Sequence, residues 1–135
     1  DTAPLEGAPA APAPAQAQRA IRAVVEALSR VSGVQGSMLV DRDGMVIVAD
    51  VPAGVSEERI AAMAAAIAAT TQESLDRIGC GPLERMQMDA DSGKVFLEDA
   101  DLGFLVVLTE PSVNIGLVRL EMQAASRRLK RRRAR

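Results

Sequence analysis

Few residues of this chain are equipped for bond-making chemistry. Among its 135 residues there is no histidine, so the commonest general base and metal ligand is missing. The single cysteine, Cys80, therefore has no imidazole to take its proton and make it a nucleophile. It lies in Gly79-Cys80-Gly81 behind an expected helix, where a small, half-buried side chain is the simplest account. A lone cysteine closes no internal disulfide, which favours a reducing, cytoplasmic setting. Two short motifs come near ligand chemistry and fall short of it. Asp41-Arg42-Asp43-Gly44 has the glycine of a calcium loop but lacks the further carboxylates before it and the glutamate after it, so a turn is expected. Gly93-Lys94 could end a phosphate-binding loop, yet Met88 stands where that loop needs glycine and Val95 where it needs Ser or Thr. The residues thus predict no catalytic group, no metal and no cofactor. A nucleotide, if one is involved, sits on a partner.

What the chain offers instead is surface. Ile60–Thr71, IAAMAAAIAATT, carries no charge on any side of the helix it would form. A helix that is apolar all round has to be covered all round. At about a dozen residues it is too short for a bilayer, which needs ~20, so its cover is protein. Ser56 is placed to cap this helix, with Glu57 and Glu58 against its positive end; it runs to Gly79, and Pro82 prevents its return. On a helical wheel Ile60, Ala64, Ile67, Thr71, Leu75 and Ile78 share the face expected to lie on a sheet. Ala62, Ala65, Ala69, Gln72 and Asp76 recur on the opposite face at the spacing that suits a neighbouring helix. An alanine-rich solvent face chosen for helix propensity is the competing account. The equally uncharged Ala61, Ala66 and Ala68 beside it favour association.

The remaining elements follow from period and punctuation. Residues 1–16, DTAPLEGAPAAPAPAQ, form a Pro/Ala-rich leader expected to be extended and disordered; it has neither the basic start nor the apolar stretch of a secretory signal. Gln18–Val31 spaces Ile21, Val24, Val25 and Leu28 as an amphipathic helix closed by Ser32-Gly33. Ser37–Val40 and Met45–Val51 read as a hairpin about Asp41–Gly44. Leu83–Ala90 and Lys94–Glu98 form a second about Asp91-Ser92-Gly93, and Leu102–Thr109 is a fifth strand. Met38–Val40, Met45–Val48 and Leu102–Leu108 are apolar at consecutive positions, as in strands buried on both faces, so helices must cover both. Leu83–Met88 mixes polar and apolar residues and reads as an edge strand. A last helix, Ser112–Arg132, places Val113, Leu117, Leu120 and Ala124 on one stripe. Residues 17–130 are thus expected to form one α+β domain, α-β-β-α-β-β-β-α, with a five-stranded antiparallel sheet between helices.

The formal net charge of −2 hides an asymmetry. Seven of the 16 Lys and Arg (Arg127, Arg128, Lys130, Arg131, Arg132, Arg133 and Arg135) crowd the C-terminus, leaving nine bases elsewhere against all 18 acids. So acidic a body is not a nucleic-acid-binding surface, and none is expected outside that end. Arg127, Arg128 and Lys130 suit the negative end of the last helix. Residues 131–135, a basic tail, exceed that need and could meet an acidic partner surface or an anionic membrane.

Three segments in this element order carry a likeness: Val31-Ser32-Gly33-Val34-Gln35-Gly36, the hairpin Leu39-Val40-Asp41-Arg42-Asp43-Gly44-Met45-Val46, and Asn114-Ile115-Gly116-Leu117-Val118-Arg119-Leu120. With them, Gln18 to Leu129 resembles the roadblock/dynein light-chain family. The resemblance implies a roadblock/longin-like fold and a homodimer that pairs third strands edge to edge and packs second helices across a two-fold axis. Ala62, Ala65, Ala69, Gln72, Arg85, Met86 and Met88 would then lie in the dimer interface. It also implies a platform for a Ras-like small GTPase, as in the bacterial MglB-like branch with its MglA-type partner, as a GTPase-activating protein or by binding alone. The alternative is a roadblock scaffold or interaction subunit without effect on GTP hydrolysis. Glu58, Glu73 and Asp76 on the second helix, and Arg131, Arg132 and Arg133 in the tail, are the candidate partner contacts. A tail arginine acting on GTP in trans is disfavoured, since a mobile tail fixes no geometry. A profilin-like small-ligand domain is disfavoured too, because no polar cluster marks a pocket.

Overall fold

The computed structural model describes residues 14–134, the side chains of residues 14 and 132–134 excepted. The disorder expected of residues 1–13 falls outside that range. The elements are α1 (Pro14–Ser29), β1 (Val34–Val40), β2 (Val46–Asp50), α2 (Glu57–Arg77), β3 (Arg85–Ala90), β4 (Gly93–Asp99), β5 (Phe104–Thr109) and α3 (Ile115–Ala134). All four strand pairs are antiparallel, in the order β2-β1-β5-β4-β3, so β2 and β3 are the edges. α1 takes in Pro14, Ala15 and Gln16, residues the sequence pattern assigns to the leader. Proline is at home at a first helical position, where its missing N–H would have had no partner. At the other end α3 continues through the first residues of the basic tail to Ala134.

The two hairpins form where turn chemistry places them. The Asp41 carboxylate accepts from the backbone N–H of Asp43 (2.9 Å) and of Met45 (3.0 Å), while Gly44 supplies a φ of 88°. These bonds are those of a turn, as expected for Asp41–Gly44. β5 then slots between β1 and β4 and closes the sheet. Its entry passes so near β1 that a Cβ on Gly103 would collide with the Val40 carbonyl oxygen.

Consecutive apolar positions in β1, β4 and β5 feed two separate cores. On one face Leu39, Phe96, Leu105 and Val107 meet Val24, Val25 and Leu28 of α1 and Val118, Met122, Ala125 and Leu129 of α3. On the other, Met38, Val40, Leu97, Phe104 and Val106 meet Ala61, Ala64 and Ala68 of α2. Each fully buried Leu or Val contributes about 1.5–3 kcal/mol, so both layers are needed to hold the sheet. Ser37, buried in β1, donates to the Val25 carbonyl of α1 (2.7 Å) and meets the Ser29 hydroxyl. Asp99 ties three segments, accepting Arg42 of the β1–β2 turn and Lys130 of α3 while its carbonyl accepts from the Ser126 hydroxyl (2.6 Å).

The stripe expected on α3 is not the one the fold uses. Val118, Met122, Ala125 and Leu129 are buried, whereas Leu117 is 38% and Leu120 65% exposed. Val113 is buried but precedes the helix, which Asn114 caps through its side-chain oxygen on the Leu117 N–H (3.0 Å). Counting helical turns from Val113 therefore sets the wrong phase.

Candidate interaction surface

α2 begins and ends on its own signals. The Ser56 hydroxyl accepts the Arg59 N–H (3.3 Å), and Glu57 and Glu58 occupy the first turn. At the C-terminus Gly79 (φ 70°) reverses the chain; its N–H bonds to the Asp76 carbonyl (3.2 Å) and that of Cys80 to the Leu75 carbonyl (3.0 Å). This Schellman pairing satisfies carbonyls that the helix end leaves open. Cys80 follows that turn, and its thiol is exposed rather than half-buried as expected.

The rotation of α2 differs from the helical wheel. Ala61, Ala64 and Ala68 are the residues buried on the sheet, flanked by half-buried Ile60, Ile67, Thr71 and Leu75. Ile78, expected on the sheet face, is 72% exposed because regular helix stops at Arg77 and the wheel no longer applies. Alanine on the inner line lets the helix backbone sit close. At the edge of the helix the β1–β2 turn comes close as well: a Cβ placed on Gly44 would lie 3.4 Å from the Ala65 Cβ and 3.5 Å from the Ala62 Cα. The outer face, from Arg59 to Glu73, then consists of Ala62, Met63, Ala66, Ala69 and Thr70, all exposed and all uncharged.

The predicted site residues do not form one surface. Ala62 and Ala69 are exposed on α2, and Ala65 is half-buried at its edge. Gln72 is turned back onto its own chain: its amide donates to the Gly81 carbonyl (3.1 Å) and to Asp76 (2.9 Å), and its oxygen accepts the Leu83 N–H (2.8 Å). On edge strand β3, Met86 and Met88 are half-buried on the α2 side. Arg85 points to the other face, where it pairs with Glu98 at 3.3 Å. Beside it Gln87 accepts from Arg119 of α3 (2.7 Å) and donates to Asp89 (2.7 Å). That bond first, and Lys94 at 3.2 Å second, holds the Asp89 carboxyl below its ordinary pKa. Glu58, Glu73 and Asp76 are exposed on α2, while Arg131 is exposed on α3, across the sheet. Arg132 and Arg133 lie in α3, with side chains outside the described set.

Met63, Ala66 and Thr70 belong to the outer face of α2 and were missed by a wheel phased on the isoleucines. The 4-3-4 spacing of Val118, Met122, Ala125 and Leu129 was the signal that would have turned Leu117 and Leu120 outward. Among the described residues, every buried side-chain nitrogen and oxygen has a hydrogen-bond partner. The arrangement presents edges and faces for association.

A five-stranded antiparallel sheet with two helices on one side and one on the other defines the class: an α+β domain of the roadblock type. The family model for the Roadblock/LC7 domain matches residues 20–109, and the chain belongs to that family. Two proteins of Methanocaldococcus jannaschii, both described as uncharacterized, are 39% and 40% identical over 103 residues, spanning 76% of this chain and 90% and 87% of theirs. Three solved structures share the fold. Myxococcus xanthus MglB has a TM-score of 0.80 at 22% identity, over 84% of this chain and 87% of that one. The gliding protein MglB of Thermus thermophilus has 0.77 at 21%, over 86% and 90%. An MglB with tetrameric arrangement has 0.79 at 21%, over 86% and 89%.

Proposed function

We propose that this roadblock-type regulator is a cytoplasmic homodimer, paired through β3 and α2, that presents its paired α2 helices to a Ras-like small GTPase of the MglA type. The outer face of α2 carries the proposal. A solvated helix face ordinarily mixes charges at i and i+4, yet Ala62, Met63, Ala66, Ala69 and Thr70 leave this one bare between Arg59 and Glu73. Such small side chains suit the close approach of a second helix. The open β3 edge supports the same pairing, since joining it to its copy would continue the sheet and remove an exposed ladder. The tetrameric MglB arrangement, a property of that protein, is consistent with self-association on this fold. Glu58, Glu73 and Asp76 would stand at the margin of the paired helices as polar contacts for the GTPase. On this reading the chain supplies no catalytic group, and any acceleration of hydrolysis would come from ordering the GTPase's own residues.

Light scattering should give a dimer, and Ala69→Glu should give a monomer, because two like charges would face each other near the axis at a cost of several kcal/mol. A dimer untouched by that substitution refutes the pairing. GTP turnover by a purified MglA-type GTPase, with and without this protein, then tests the regulation. Binding without acceleration leaves the interaction-subunit role alone standing.

A further inference from the structure

The two helical layers carry opposite charge. α1 holds two arginines against one glutamate, and α3 holds seven bases against one glutamate. Across the sheet, α2 holds four acids against two arginines. Leu117, Leu120 and Ala124, then the adjacent Arg127 and Arg128, then Arg131 follow one another along one side of α3, each step apart from that adjacent pair three or four residues, and all but the half-buried Ala124 are exposed. Among the described residues Arg127, Arg128 and Arg131 form no ion pair or side-chain hydrogen bond, whereas Lys130 is held by Asp99. Arg19 is exposed on α1 in the same layer, whereas Arg22, also exposed, lines a cleft at the β2 edge with Glu57 and Glu58. Compensation of the helix dipole accounts for bases in a last turn. It does not account for two exposed leucines earlier on the same strip.

We propose that the α1/α3 layer is a docking face for an anionic lipid bilayer, with its arginines on headgroup phosphates and Leu117 and Leu120 at the acyl boundary. A helix lying flat at an interface needs this combination of basic and apolar residues on one side. A nucleic-acid duplex would satisfy the arginines but would give the leucines nothing to cover. No helix among the described residues is long and apolar enough to cross a membrane, so the contact is peripheral. The β3 pairing proposed above adds one consequence and is needed for that consequence only. A two-fold axis that joins β3 edges and brings both α2 helices together runs perpendicular to the sheet. Both α1/α3 layers then face one plane, and both α2 helices face away from it. Two strips bind one membrane with the gain of bivalency.

The test is sedimentation of the full chain with vesicles of phosphatidylcholine alone and of phosphatidylcholine mixed with phosphatidylglycerol. Binding is expected only to the anionic vesicles and should weaken as salt rises. Replacing Arg127, Arg128 and Arg131 together by Gln removes three charges, each worth about fivefold near an anionic leaflet, so partitioning should fall on the order of a hundredfold. Leu120→Ser should lower it several-fold without changing charge. Arg59→Gln with Arg77→Gln, on the far layer, should leave it unchanged. All these residues are exposed, so thermal melts should stay at the wild-type value and confirm folding. Ala69→Glu separates the two proposals: weaker but measurable partitioning supports the bivalent geometry, and equal partitioning overturns that geometry alone. No preference for anionic vesicles, wild-type partitioning by the triple variant, or equal affinity for a short DNA duplex that Leu120→Ser does not weaken would each overturn the membrane face.

Discussion

Replacing Gln72 with methionine keeps the length of the side chain and removes every hydrogen bond it makes. Those bonds close the segment after α2 onto the helix, through the Leu83 N–H at 2.8 Å and the Gly81 carbonyl at 3.1 Å. Leu83 is only 9% exposed, so its N–H would lose its partner where water reaches poorly. An unsatisfied buried donor costs about 1–3 kcal/mol. The Gly81 carbonyl is half-buried and Asp76 exposed, so water recovers most of those two bonds. The net cost is then about 2 kcal/mol, nearly all from one amide. For a domain of this size that corresponds to a fall in Tm of about 6–10 °C. Calorimetry at fixed protein concentration measures it, since the proposed pairing would make Tm concentration-dependent. Hydrogen exchange should show faster loss of the Leu83 amide proton, while light scattering still reports a dimer. A Tm within about 2 °C of wild type with Leu83 protection unchanged refutes the reasoning. Dissociation without loss of stability would instead return Gln72 to the interface that the helical wheel assigns it.

Gly103→Ala should destabilise by roughly 1–3 kcal/mol or more, because its Cβ meets the Val40 carbonyl rather than a side chain able to move; a denaturant midpoint equal to wild type would contradict this. Met122→Ala should cost about 2–5 kcal/mol, and Leu120→Ala less than about 0.5 kcal/mol, in chemical denaturation; the reverse order would mean α3 is rotated from the phase described. The lowered pKa of Asp89 means its contribution is complete above the ordinary carboxylate pKa and lost as pH falls through the lowered value. Carboxyl NMR should therefore place its titration below the ordinary value, and Gln87→Leu should raise it; an unmoved midpoint would show that the Gln87 amide is not the main cause.

Local chemistry made the elements legible. The aspartates and glycines at 41–44 and 91–93 marked both hairpins, and the unbroken apolar run of β5 showed that helices must lie on both faces. The strand order was not legible, because nothing within Phe104–Thr109 specifies insertion between β1 and β4 rather than addition at an edge. The phase of α2 was hard for a different reason. A helix whose inner and outer lines are both alanine has little contrast around its circumference, so Ile60, Ile67 and Ile78 drew the wheel toward themselves while Ala61, Ala64 and Ala68 took the core. Gln72 shows the limit for the surface. Its position on the outer half of the helix was readable, but its partners lie up to 11 residues away, beyond a glycine turn. Arg131 and Glu73 were both candidate partner contacts, and only the fold shows that the sheet stands between them.

The unequal cover of the two sheet faces bears directly on the pairing. Strands lie about 4.8 Å apart, so five strands span roughly 19 Å from first to last. A helix with its side chains is about 10–12 Å wide, so α1 and α3 together can cover that width. α2 alone covers about half of it, less where its inner line is alanine. Its backbone comes nearest to β1 and β2, beside Gly44 of their turn, while its alanines reach Leu97 of β4 and Phe104 and Val106 of β5. On that side of β3 and β4, Met86, Met88 and Val95 remain half-buried, at the edge away from α2. The shortfall is close to one helix width, and it adjoins the open strand. A copy related by a two-fold axis at β3 would bring its own α2 beside the first, over the strip that α2 leaves half-covered. Placing the outer alanines of both helices against each other would let the pair sit low enough to reach those methionines. A GTPase bound on top would then rest on a surface that neither protomer can build alone.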